Sequence, residues 1–217
     1  MLIGLAGTYC AGKNRVASIL ERRGIPVLDV DRLAHACLER RRDDVFARFG
    51  DGARNADGTV NRRALGAMVF GDGAALADLE AIVHPETNRM TVEWAAERKG
   101  APCAVNAALI HKSALFHEFD LIILVTAPAI ARLARGRRRD GLSWLALLRR
   151  FASQRRFESQ YFAGSADIFR VANPGIGRPA QACASSRGAT KSERRLEKRI
   201  DEILSRFGPR ESPRRSQ

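Results

Sequence analysis

Residues 2–14 read LIGLAGTYCAGKN. Gly7 and Gly12 enclose four residues and Lys13 follows, the frame G-x-x-x-x-G-K of a phosphate-binding loop. Such a loop works through its main chain. Its glycines let successive N–H groups converge on an anion at a helix N-terminus, and the lysine reaches the outer phosphates. A chain of this glycine and lysine content gives about 0.03 chance matches to the frame, fewer once a preceding strand and a following helix are required. Both are expected here. LIGLA (2–6) is short and apolar and ends at a glycine, as a buried strand does. From Lys13 to Arg23, Val16, Ile19 and Leu20 fall on one helical face, and Gly24 and Pro26 stop the helix. PVLDV (26–30) reads as a second strand. Strand, loop, helix, strand implies a right-handed crossover in a parallel sheet. Position 14 is the exception: asparagine stands where the frame places a hydroxyl for Mg²⁺. An amide carbonyl is a hard oxygen, so Asn14 is the candidate metal ligand, directly or through water.

Residues 31–100 read as mostly helical. Asn61 is placed to cap a helix running to about Phe70, GDGAALADLEAIV gives another, and Pro85 is expected to open a third that Gly100 closes. Strands resume at 102–110 and 120–125, and the last is expected at 167–173. Pro128 begins an arginine-rich helix, and another is expected from about Ser143 to Phe157. The fold class is therefore α/β, a five-stranded parallel sheet flanked by helices. Residues 176–190 read as a linker rich in Pro, Gly, Ser and Ala, 191–207 as a helix with Leu196, Ile200, Ile203 and Leu204 on one stripe, and 208–217 as a disordered tail.

The 217 residues carry 37 Lys and Arg against 24 Asp and Glu, a net charge of +13. A basic body suits a polyanionic ligand, whether nucleotide, phosphorylated cofactor or nucleic acid. Nucleic acid is disfavoured, because no zinc pattern or aromatic-rich RNA motif accompanies the charge. No apolar run reaches membrane-span length and no leader peptide is recognisable. The four cysteines have no metal-ligand spacing, so a reduced, cytoplasmic setting is expected.

The second expected strand ends in Asp29-Val30-Asp31, and ligands of such sheets sit at the strands' carboxyl ends. Alternation places both aspartates on one face. A carboxylate there either orients an acceptor hydroxyl and takes its proton or caps the helix that starts at Arg32.

GLAGTYCAGK followed by GIPVLDVDRLAHACLE resembles dephospho-coenzyme A kinase. DGTVNRRALGAMVF (57–70), LEAIVHPE (79–86), FDLIILVTAP, RLARGRRRDGLS, the Arg150-x-x-x-Gln154 spacing and ADIFRVANPG are similar to that family's blocks in the same order, over about residues 1–175. The resemblance implies a nucleotide core with a helical substrate-binding insertion at about 32–100 and a lid region at about 129–157. The implied reaction carries the γ-phosphate of ATP, with Mg²⁺, to the 3′-hydroxyl of dephospho-coenzyme A. The implied ATP-binding set is Gly7, Thr8, Cys10, Ala11, Gly12, Lys13, Asn14 and Arg15. Asp31 takes the place of the catalytic base and Lys13 that of the phosphate lysine. His35, Arg62 and His84 fall in the substrate-binding blocks, and Arg135, Arg139 and Arg150 in the lid, with Arg139 favoured as the arginine on the transferring group. Three of these have a plainer alternative: a surface role for His35, support of a helix entry for His84, an apolar filler for Cys10.

The chain departs from the family where Asn14-Arg15 replace Ser-Thr, where Asn106 stands for an aspartate, and where Lys112 replaces a glutamate. These changes open a second reading, a phosphate-loop protein that binds nucleotide with weakened or lost kinase activity. Oligomeric state is open.

Overall fold

The computed structural model describes residues 1–140, 166–175 and 190–207. The Ser143–Phe157 helix, Arg150, the 176–189 stretch and the 208–217 tail lie outside the described residues. The chain divides into two compact units, one of Met1–Val27 with the described residues from Lys99 onward, the other Leu28–Arg98.

The first unit is built on strands buried on both faces. β1 (Leu2–Gly7), β3 (Cys103–Asn106) and β4 (Leu121–Thr126) are almost continuously apolar and inaccessible to solvent, the pattern that parallel strands covered on both sides require. With β2 (Val27–Asp29) and β5 (Asp167–Ala172) they form one sheet in the order β2-β3-β1-β4-β5. β1 pairs in parallel with β3, Leu5 opposite Asn106, and with β4, Gly7 opposite Val125. β4 pairs in parallel with β5, Thr126 opposite Ala172. The loop that leaves β1 therefore starts from the middle of the sheet. β3 is shorter than the expected 102–110. After Asn106 the chain turns, and Ile110 swings back so that its Cδ1 lies 2.8 Å from where a side chain on Gly4 would begin.

Helix α1 (Lys13–Arg22) buries Val16, Ala17, Ile19 and Leu20 in the core that also takes Ile3, Leu5, Ile123 and Val125. Helix α6 (Ala129–Asp140) follows β4. The last described helix, α7 (Lys191–Phe207), sends Leu196, Ile200 and Ile203 into the same core. Thr190 and Glu193 cap it reciprocally: the Thr190 Oγ1 accepts the Glu193 N–H at 3.3 Å, and the Glu193 carboxylate accepts the Thr190 N–H. Along the α1–α7 seam, Arg22 meets Glu197 at 2.6 Å and Arg23 grips Asp201 through two bonds of 2.9 Å.

The second unit is helical: α2 (Val30–Arg40), α3 (Arg42–Phe49), α4 (Arg62–Val69) and α5 (Gly73–Ala96). They enclose a core of Cys37, Leu38, Val45, Phe46, Val60, Leu65 and Val83. Asn61 caps α4 by accepting the Ala64 N–H at 3.0 Å. Two elements differ from expectation. Pro85 does not open a helix but lies inside the 24-residue α5. Its missing N–H deprives only the Ala81 carbonyl, and both residues are solvent-exposed, so water can take the donor's place. The expected strand 26–30 stops at Asp29, whose carboxylate accepts the Arg32 N–H at 3.1 Å and starts α2.

The burial of three aliphatic side chains outweighs the exposed ion pairs in holding α7. Replacing the fully buried Ile200 with alanine is expected to lower stability by about 2–4 kcal/mol, and Glu197→Gln by less than about 1 kcal/mol. Urea unfolding measures both. Equal losses would mean that the ion pairs, not the stripe, carry the contact.

Candidate active site

The phosphate loop spans Gly7 to Lys13, between the end of β1 and the start of α1. The Ala11 N–H donates to the Thr8 carbonyl at 2.9 Å and closes the turn. Gly12 caps α1 with φ +97°, a left-handed conformation, and a β-carbon on it would lie 2.2 Å from Asn173 Nδ2. Gly7 is required by close approach: a β-carbon there would lie 2.6 Å from the Val125 carbonyl oxygen. Cys10 also has positive φ, 58°. No acidic residue occupies the first turn of α1, so the helix presents its N-terminal partial charge with no carboxylate of that turn to offset it.

The outer side of the loop is tied down by side chains. Arg132 Nε donates to the Tyr9 carbonyl at 2.9 Å. Arg135 Nη1 donates to the carbonyls of Cys10 and Ala11 at 3.0 and 2.9 Å. Its Nη2 donates to the Asn173 carbonyl at 2.7 Å and to that of Gly175. Asn173 Nδ2 donates to the Ala11 carbonyl at 2.9 Å. Burial is the main influence on both arginines and pulls their pKa values down from the usual guanidinium range. Arg139, one turn beyond Arg135, is exposed, and its guanidinium stacks over the Tyr9 ring at 5.0 Å. Expected in the lid with Arg139, Arg135 instead turns toward the main chain of the loop. Arg132 and Asn173 were not singled out in the sequence. Asn173 sits in the ADIFRVANPG block, and nothing in the local pattern distinguishes Arg132 from its arginine neighbours.

Asn14 and Asn106 meet across the loop, with Asn106 Nδ2 donating to Asn14 Oδ1 at 3.3 Å. Asn106 is 4% exposed, and its Oδ1 is buried without a hydrogen-bond partner. Among the described residues no cluster of three or more His, Cys, Asp or Glu is placed to hold a metal. The site offers neutral amide oxygens, which fit an ion that arrives on nucleotide phosphates and keeps part of its water. Arg15, in the first turn of α1, pairs with Glu193 of α7, and both side chains are largely buried.

The remaining candidates lie in the second unit. Asp29 is the N-cap of α2 and Asp31 its first-turn acid, so the two do not share a strand face. Asp31 and His35 are exposed and one turn apart on α2. Arg62 is exposed at the start of α4. His84 lies inside α5, half-buried, and supports no helix entry.

A glycine loop springing from the central strand of a parallel sheet onto a helix N-terminus, backed by a lysine, defines a phosphate-loop nucleotide-binding protein. The profile of the dephospho-CoA kinase family matches residues 1–169, and the chain belongs to that family. It is 34% identical over 184 residues to a dephospho-CoA kinase of Treponema pallidum, covering 80% of this chain and 87% of that one. Among solved structures, TT1252 of Thermus thermophilus superposes with a TM-score of 0.74 at 28% identity, covering 95% of this chain and 97% of that one. A dephospho-CoA kinase of Campylobacter jejuni has a TM-score of 0.60 at 19% identity over 95% of this chain and 96% of that one, a likeness of fold.

Gly12→Ala combines left-handed strain of about 1–2 kcal/mol with a collision against Asn173. The expected outcome is at least about a tenfold loss of ADP affinity by calorimetry. Unchanged affinity would remove Gly12 from the phosphate site.

Proposed function

We infer that this chain transfers the γ-phosphate of ATP to the 3′-hydroxyl of dephospho-coenzyme A, giving coenzyme A and ADP, the last step of coenzyme A synthesis. The observation that carries the reading is the G-x4-G-K loop, closed between β1 and α1 and tied from outside, in a chain whose match to the dephospho-CoA kinase family runs through residues 1–169.

In the proposed mechanism the loop amides and the Lys13 ammonium take up charge on the β- and γ-phosphates. The acceptor oxygen attacks the γ-phosphorus, the bond from that phosphorus to the β–γ bridging oxygen breaks, and ADP leaves. The hydroxyl proton goes to the Asp31 carboxylate. Positioning contributes more than basicity, because the transition state is loose. His35, one turn from Asp31, and Arg62 are assigned to the acceptor. Arg139 is the lid arginine that meets the transferring group. Mg²⁺, when bound, neutralises charge on the β- and γ-oxygens, and Asn14 with Asn106 are the residues that would face it. No described helix is long and apolar enough to cross a membrane.

The test is steady-state kinetics of the purified protein with ATP, Mg²⁺ and dephospho-coenzyme A, beside the Asp31→Asn variant. The parent is expected to turn over. The variant keeps the shape and loses the charge, so its kcat is expected to fall by about 10²-fold or more, with ATP affinity little changed. A parent that binds ATP without turnover would favour the non-catalytic reading that Asn14 and Lys112 raise. A variant within a few-fold of the parent would take the base assignment away from Asp31.

A further inference from the structure

Three successive peptide units of the phosphate loop are gripped by their oxygens. The Tyr9 carbonyl accepts from Arg132, that of Cys10 from Arg135, and that of Ala11 from both Arg135 and Asn173. In a trans peptide the C=O and the following N–H point in opposite directions. Fixing these three oxygens therefore fixes the orientation of the N–H groups of Cys10, Ala11 and Gly12, that of Ala11 in the turn onto Thr8. Arg135 is the centre of the arrangement, since its fork also reaches the carbonyls of Asn173 and Gly175 and so ties the end of β5 to the loop.

We propose that Arg135 is a positioning residue for the nucleotide: it sets the phosphate loop in its anion-binding shape from behind and places a fixed positive charge under it. Resting on the kinase reading, the proposal gives this arginine a role distinct from the lid. Its guanidinium is half-buried, and each of the four hydrogen bonds described for it ends on a main-chain oxygen. Those oxygens accept from both Nη groups but carry no formal charge to balance it. Arg15 nearby adds to the unfavourable field, although Glu193 partly offsets that cation. A polyphosphate at the loop supplies an anionic charge that none of these described partners carries, so nucleotide binding relieves a cost that folding imposes. Arg135 cannot swing onto a transferring phosphoryl group without surrendering all four bonds. Arg139, one turn later, is exposed and lies over the Tyr9 ring.

The measurement uses ADP as probe, which needs neither acceptor nor turnover. Its dissociation constant is taken by calorimetry for the parent, Arg135→Gln and Arg135→Lys, beside kcat and the KM values for ATP and dephospho-coenzyme A. Arg135→Gln is expected to weaken ADP at least about tenfold. Arg135→Lys should recover only part of this, because an ammonium keeps the charge and loses the fork. The KM for dephospho-coenzyme A should stay within about twofold. Loss of kcat with ADP affinity unchanged would overturn the proposal in favour of a lid role. An equal rise of both KM values with a lowered melting temperature would reduce Arg135 to a structural residue. If Arg135→Gln does not fold, Arg132→Gln removes a single grip on the same loop and is expected to weaken ADP about threefold; unchanged affinity there overturns the proposal too. A parent that binds ADP but does not phosphorylate dephospho-coenzyme A refutes the kinase reading and leaves the ADP comparison intact.

Discussion

A main chain that turns its N–H groups toward an anion must turn its carbonyls away, and those carbonyls need donors. That constraint orders the first unit. The loop leaves the central strand, so helices and strand ends on either side of β1 can reach it. α6 and the end of β5 bring Arg132, Arg135 and Asn173 to its oxygens. β3 brings Asn106 to Asn14, and α7 brings Glu193 to Arg15. Close packing sets the remaining limits, since side chains on Gly4, Gly7 or Gly12 would each start within 3 Å of a neighbour.

Where a residue's neighbours along the chain determine its state, the sequence was legible. The unbroken apolar runs of β1 and β4, the stripe on α7 and the cap at Asn61 depend on spacing alone, and each lies where its pattern placed it. The loop itself was legible because its chemistry resides in backbone, which glycine spacing reports. Pro85 was misread as a first-turn residue because proline is disfavoured inside a helix, whereas α5 runs through it with Ala81 and Pro85 both at the surface. The aspartate pair was misread because the alternation argument assumed a strand one residue longer than the Asp29 cap allows.

The arginines of α6 were the least legible part of the candidate site. Five of them lie between residues 132 and 139, and composition makes them equivalent. Depth separates them. Arg132 and Arg135, three apart on the helix, lie half-buried against the loop, while Arg137, Arg138 and Arg139 are exposed. A guanidinium becomes a loop anchor through the carbonyls it meets in three dimensions, and no spacing rule contains those.

The two departures from the family's Ser-Thr can be understood as two local pairs. Arginine at position 15 places an extra cation near Arg135, a lesser influence on it than burial. Glu193, from a helix beyond the residues the family profile matches, meets that cation. Asparagine at position 14 exchanges a hydroxyl for an amide, and Asn106 opposite it is an amide as well. The two amides pair donor to acceptor, and a carboxylate at position 106 would instead add a negative charge there. The second substitution thus suits the first, and the pair remains neutral. The charge around the loop then comes from Lys13, the α1 N-terminus and the half-buried Arg135, all of it positive.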